Sequence, residues 1–228
     1  QQLARLCLRK GVEHVIICPG SRNAALTIAF TSQKGFKCYS ISDERSAAYI
    51  ALGMALQTGK TSVIICTSGT AALNFAPAIA EAYFQEVPIL VLTADRPPEW
   101  VHQYDGQTIF QEKMYGKNVK NSFSWSAGQD EANLIEAEQI SNRALNICQS
   151  QPLGPVHINI PLREPFYPDS INELTIDWKN ESPELSAESV DLKFFSDTLA
   201  KYSKRLLLIG QQQDENVSKQ AKAFADRY

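Results

Sequence analysis

Four short segments carry side chains that could do chemistry, and each stands where an apolar run gives way to a helix-like one. Cys18-Pro19-Gly20-Ser21-Arg22-Asn23 combines a glycine for a tight turn, a serine able to cap a helix, and an arginine beside free helix N–H groups. That set suits a carboxylate or phosphate, although an ordinary turn with a solvated arginine has the same spacing. Ser42-Asp43-Glu44-Arg45 places the Glu44 carboxylate at the opening of a helix, either as a partner of the helix dipole or as a catalytic acid. Thr67-Ser68-Gly69-Thr70 offers small residues that permit close approach by a ligand or a neighbouring chain. It lacks the lysine of a phosphate loop, and the chain holds no Gly-x-Gly-x-x-Gly fingerprint. Thr93-Ala94-Asp95-Arg96-Pro97-Pro98 adds a second arginine. One strand-end arginine means little, but two with a glutamate between them in sequence order begin to describe a pocket for an anionic substrate.

The remaining candidates are weaker. His14 and His157 fall within strand-like runs and read as core or face residues, while His102 lies in an unpatterned stretch. No His/Cys/Asp cluster has metal-ligand spacing, so no metal site is expected here. No Gly-x-Ser-x-Gly elbow is present. Trp100, Trp125 and Trp178 read as packing anchors.

The elements that must position these residues follow from periodicity. Residues 1–10 read as a helix ended by Gly11, and 12–18 as a strand ended by Pro19-Gly20. A helix is predicted over 24–31, a strand over 36–41, and a helix over 44–57 with Ala47, Ile50, Ala51, Met54 and Ala55 on one face. Ser42 or Asp43 can cap that helix and Gly59 can close it. A strand at 61–66 leads into one long alanine-rich helix reaching about Gln85, followed by a strand at 88–93. A helix over 132–149 and a fifth strand over 156–160 complete the pattern, whereas 100–128 shows no period. Strands alternating with helices predict an α/β fold, a parallel sheet with helices on both faces. Ligands bind at the carboxyl ends of strands in such sheets.

After Leu162 the composition shifts. Residues 163–189 are rich in Pro, Asp, Glu, Asn and Ser and read as an extended linker. A helix near 190–200, a strand at 205–210 and a helix at 216–228 follow. One strand and two helices cannot cover their own apolar faces, so they read as the cut-short start of a second α/β domain and the chain as a fragment. The expected domains are 1–165 and 191–228, with 166–190 between them.

The totals narrow the class. With 22 basic and 25 acidic residues the net charge is −3, too balanced for a nucleic-acid or membrane-surface protein. No run approaches the roughly 18 apolar residues of a membrane span, and no signal peptide is expected at the start. The cysteines are odd in number and spread out: Cys7, Cys18, Cys38, Cys66 and Cys148. Buried, reduced thiols are expected, in a cytoplasmic protein.

Together, Glu44 opening an alanine-rich helix, Val63–Cys66, Thr67-Ser68-Gly69 and an early Asn74 resemble the pyrimidine-binding domain of thiamine-diphosphate enzymes. Pro19-Gly20-Ser21-Arg22-Asn23, Thr93-Ala94-Asp95-Arg96-Pro97-Pro98-Glu99 and Asp105-Gly106-Gln107-Thr108-Ile109 look like the menaquinone-pathway branch of that family. The resemblance implies thiamine diphosphate as cofactor. It implies decarboxylation of 2-oxoglutarate and transfer of the succinyl unit to isochorismate. Glu44 would hydrogen-bond N1′ of the aminopyrimidine, with Thr67, Ser68, Gly69 and Asn74 also at the cofactor. Ser21, Arg22, Arg96 and Gln107 would contact the dicarboxylate substrates. The diphosphate and its Mg2+ (or Mn2+) would be held by a separate domain, in a homo-oligomer with the site between subunits. The fragment alone would then be inactive. Another enzyme of the family, acetolactate-synthase-like, and a non-catalytic α/β regulatory domain remain alternatives.

Overall fold

The computed structural model describes residues 1–128, 130–164, 167, 178–182, 192–210 and 215–227. The chain divides into two compact units, Gln1–Pro183 and Glu184–Tyr228.

In the first unit, β1 (His14–Ile17), β2 (Lys37–Ser40), β3 (Ser62–Cys66), β4 (Ile89–Asp95), β5 (Asn121–Ser124) and β6 (Val156–Pro161) form one six-stranded sheet. Its order is β2-β1-β3-β4-β6-β5, and every pairing is parallel. Alternation along the strands splits the apolar residues into two cores, as a sheet covered on both faces requires. Val15, Ile17, Val63, Ile65, Leu90 and Ile158 face α1 (Gln2–Arg9), α2 (Ala24–Thr31) and α6 (Glu131–Gln149). Ile16, Ile64, Cys66, Ile89 and Val91 face α3 (Glu44–Thr58), α4 (Thr70–Leu73) and α5 (Ala76–Phe84). The predicted parallel sheet with helices on both faces is the observed fold.

Local chemistry sets the element ends. The Asp43 carboxylate accepts from Ser46 N at 2.7 Å and caps α3, and Gly59, at φ +65°, closes it. Asp130 caps α6 in the same way, accepting from Asn133 N. The far end of α6 is held by Lys120, whose ammonium donates to the Ile147 and Ser150 carbonyls.

Several expectations need correction. The single helix over 70–85 is broken into α4 and α5 at Asn74-Phe75. Pro77 has no N–H to give Leu73, so it can stand only in the first turn of a new helix. A sixth strand, β5, sits within the stretch that shows no period; it is four residues long, half-buried and on the sheet edge, where pattern is weakest. Ser21 does not cap α2: Asn23 occupies that position, without a side-chain cap bond. Cys38 is exposed because β2 is the other edge strand, while Cys7, Cys18, Cys66 and Cys148 are buried.

Much of the expected linker, 165–166, 168–177 and 183–189, lies outside the described residues. Residues 178–182 pack on the first unit: Trp178 is buried edge-on against Trp125, and Asn142 grips the backbone at Lys179 and Glu181. Trp125 and Trp178 thus pack as anchors. In the second unit α7 (Leu192–Ala200) and α8 (Glu215–Arg227) form near their predicted positions. Residues 205–210 form no strand, since no described segment offers a ladder partner, and Leu206 and Leu208 are exposed. Among the described residues no helix is long and apolar enough to cross a membrane.

Candidate functional site

β1 has β2 on one side and β3 on the other, so the chain leaves β1 and β3 in opposite directions across the sheet. A crevice opens at such a point outside the carboxyl strand ends. Cys18 N donates to Ile65 O at 2.8 Å, carrying the β1–β3 ladder to its rim. Beyond it the two connections nearly touch: a Cβ on Gly20 would lie 2.5 Å from Thr67 Cβ. Only glycine permits that approach.

The Thr67-Ser68-Gly69 turn is built for close contact. Ser68 is 2% exposed, and its hydroxyl has no hydrogen-bond partner among the described residues. Gly69 adopts φ +86°, ψ −147°, a region essentially reserved for glycine. The Gln107 backbone lies directly over it, with its carbonyl carbon and oxygen 2.9 Å from where a Cβ would stand.

Glu44 enters the same rim from the β2–α3 connection. It is half-buried and has no hydrogen-bond or ion-pair partner among the described residues. Its charge reaches both strand ends of the crevice. Burial first, then the Glu44 and Asp43 carboxylates, push the Cys18 thiol up to about 12, and burial with Cys18 and Glu44 raises Cys66 as well.

Two arginines stand further along the edge. Arg22, 5% exposed, donates from Nη1 to Leu162 O at 2.9 Å. Arg22 and Arg96 both place their guanidinium carbons over the Trp100 ring, 5.7 and 5.8 Å from its centroid. Arg96 Nη2 donates to Gly106 O at 2.8 Å, and its Nε lies 3.2 Å from Asp105 Oδ2 in an ion pair without hydrogen-bond alignment. Burial, and then the Arg96 charge, lower the Arg22 pKa. Two cations brought this close, one buried, favour a shared anion.

Ser21, Arg22, Glu44, Thr67, Ser68, Gly69, Arg96 and Gln107 therefore stand along one edge of the sheet. Ser21 and Gln107 are exposed, and Gln107 approaches by its backbone. Asn74 is not joined to them: it is exposed at the α4–α5 break, and its side chain donates to Thr70 O.

Three further contributors stand outside the predicted site residues. Trp100 reads as a packing anchor but is the platform for both arginines. Gln111, within the unpatterned stretch, is 1% exposed and fully hydrogen-bonded. His157 is a satisfied core residue in a polar string beneath the site. Thr93 Oγ1 donates to Asn159 Oδ1 at 2.9 Å, so it accepts from His157 Nε2 at 2.8 Å. Nδ1 is then left to accept from Ser122 Oγ at 3.0 Å, an assignment that follows from donor counting. Asn159 Nδ2 donates to Asp95 Oδ2 at 2.7 Å, beside the arginines.

Burial lowers the His157 pKa from 6.5 to about 3. Between those values the unfolded chain binds a proton that the folded one refuses, so stability is present above pH 6.5 and falls as pH drops. The expected loss is about 1.4 kcal/mol per pH unit from 6.5 towards 4.5. Burial raises the Asp95 pKa and acts in the opposite sense. Chemical denaturation at pH 7, 6 and 5 should show the slope in the wild type and lose most of it in His157→Gln; equal slopes would assign it to other groups.

A family model described as thiamine pyrophosphate enzyme, N-terminal TPP binding domain, matches residues 1–118. The chain belongs to this family. Among curated relatives, the 2-succinyl-5-enolpyruvyl-6-hydroxy-3-cyclohexene-1-carboxylate synthase of Cytophaga hutchinsonii is 53% identical over 167 residues, 73% of this chain and 30% of that protein. The synthase of the same name from Phocaeicola vulgatus is 39% identical over 213 residues, 92% of this chain and 38% of its own length. That of Flavobacterium johnsoniae is 44% identical over 179 residues, 78% and 31% respectively. The chain thus spans about a third of the length of these relatives. The residues present fit the family's cofactor in kind, since this rim carries a carboxylate without a partner among the described residues, Glu44, and a buried hydroxyl without one, Ser68, either of which could serve a nitrogen heterocycle. Among the described residues no group of three or more His, Cys, Asp or Glu side chains is arranged to hold a metal ion.

Proposed function

We propose that this chain is the amino-terminal part of a 2-succinyl-5-enolpyruvyl-6-hydroxy-3-cyclohexene-1-carboxylate synthase, decarboxylating 2-oxoglutarate and adding its succinyl unit to isochorismate in menaquinone biosynthesis. The observation that carries this reading is the pairing, on one sheet edge, of the unpartnered Glu44 carboxylate with Arg22 and Arg96 stacked on Trp100. When bound, thiamine diphosphate supplies the electron sink for the decarboxylation. Glu44 holds the proton shared with N1′ of the aminopyrimidine, and Thr67, Ser68 and Gly69 seat the ring. Asn74 belongs to the cofactor side only by resemblance to the family. Arg22 and Arg96 bind and orient substrate carboxylates, helped by Ser21 and Gln107, and the Trp100 face excludes water from the pair.

In this reading 1–165 forms the pyrimidine-binding domain, 166–190 a linker and 191–228 the start of a central domain. A further domain contributes the diphosphate and Mg2+ (or Mn2+) site. A cytoplasmic homo-oligomer completes the active site between subunits. The exposed Tyr49 and Ile50 on α3, Leu73 on α4, and Tyr83 and Phe84 on α5 support such an interface.

A substrate panel on the full-length protein tests the proposal. Consumption of 2-oxoglutarate that requires isochorismate is the expected result. Turnover of pyruvate alone would transfer the reading to an acetolactate-synthase-like enzyme, in which Glu44 keeps its role and the arginines lose theirs. Residues 1–228 alone should show no synthase turnover.

A further inference from the structure

The segment carrying Arg96, Asp105 and Gln107 must hold its shape without regular structure. After the 3₁₀ turn Pro98–Trp100 it contains four non-glycine residues at positive φ, namely His102, Tyr104, Gln107 and Lys113. Each such residue is strained and persists only where surrounding structure imposes it. Within the segment, Gln111 is a buried side chain whose hydrogen bonds all leave it for the sheet edge. Its Oε1 accepts from Gly69 N at 2.7 Å, and its Nε2 donates to Ala94 O at 3.0 Å and to Asn159 Oδ1 at 2.9 Å. One buried carboxamide thereby ties the loop to the ends of β3, β4 and β6. Asn159 presents its oxygen to Gln111 because its amide nitrogen is committed to Asp95.

We propose that Gln111 is a positioning residue, which fixes the Arg96–Gln107 arc over the Thr67-Ser68-Gly69 turn so that the cofactor side and the anion-binding side keep one geometry. The proposal rests on the reading that these two sides serve one reaction. The bland alternative is a polar plug that contributes stability evenly to the sheet.

The test uses the full-length protein. Gln111→Met keeps the length of the side chain and removes all three hydrogen bonds. Gln111→Glu keeps an acceptor for Gly69 N–H and loses both donors, and it preserves the test if the methionine variant fails to fold. Hydrogen–deuterium exchange is read at Gly69 and over 104–110, beside KM and kcat for 2-oxoglutarate and isochorismate. Exchange over 104–110 should rise about tenfold in both variants, with Gly69 deprotected only by methionine. KM should rise about tenfold while α3 and α5 keep their protection. Deprotection spread evenly over β3, β4 and β6, or a loosened loop with wild-type KM, would overturn the assignment. If the protein instead turns over a different oxo acid, the substrate reading fails, and the exchange pattern with that substrate's KM still decides the role of Gln111.

Discussion

Glu44→Gln in the full-length protein should lower turnover at least a hundredfold while residues 1–162 keep their fold. The substitution is isosteric and removes no hydrogen bond or ion pair that the described structure relies on. The cap of α3 belongs to Asp43, which is untouched. The structural cost is therefore limited to the loss of a first-turn negative charge, about 0.3–1 kcal/mol. The functional cost is larger, because a carboxamide cannot hold a proton for a heterocycle nitrogen. Proton-transfer groups contribute about 10²–10⁴ in rate, and a hundredfold corresponds to about 2.7 kcal/mol of barrier. Steady-state rates, a thiamine diphosphate titration and a thermal melt on the same preparation check the claim. Unchanged rate and cofactor response would make Glu44 a dipole partner and the domain non-catalytic.

Gly69→Ala should be the most damaging single-methyl change in the crevice. Its φ and ψ lie where an L-residue costs about 1–3 kcal/mol. Its new Cβ would also meet the Gln107 backbone at 2.9 Å, and backbone cannot swing aside as a side-chain tip can. Overpacking of that kind adds about 1–3 kcal/mol, for a total of roughly 2–6 kcal/mol. Part of it can be relieved by lifting the loop, which would separate Gln111 from Gly69 N and shift Arg96. Denaturation midpoints together with rates should therefore show loss of both stability and activity. A variant as stable and active as the wild type would mean that the turn relaxes into an alanine-compatible conformation.

Much of this architecture was legible from pattern alone, and the reasons differ by element. β3 and β4 are continuous apolar runs buried on both faces, and α3 combines a cap, a period and a closing glycine, so several signals agree. The strand-end segments could be placed at one edge because parallel topology puts every carboxyl strand end there. What pattern could not supply is long-range and polar. Gln111, Asn159 and His157 do their work through partners between 17 and 66 residues away, and no local period encodes that. Trp100 is informative only once Arg22, far away in sequence, is known to lie against it. The break at Asn74-Phe75 is the opposite case: Pro77 marks it, and the run of alanines around it hides the mark. Residues 205–210 show the limit of a hydrophobic pattern, since a strand exists only where another strand receives its hydrogen bonds.

The placement of the reactive groups on separate connections has an evolutionary consequence. Glu44 rides on the turn after β2, held down by the buried alanines of α3, whereas Arg96 and Trp100 ride on the excursion after β4, held by Gln111. No side-chain bond joins the two supports among the described residues. Under the proposed function, the Arg96 side of substrate recognition can be rewritten in one excursion while the Glu44 turn is left unchanged. A graft of a relative's residues 96–118, with its own latch to the strand ends, is accordingly the natural unit for exchanging specificity.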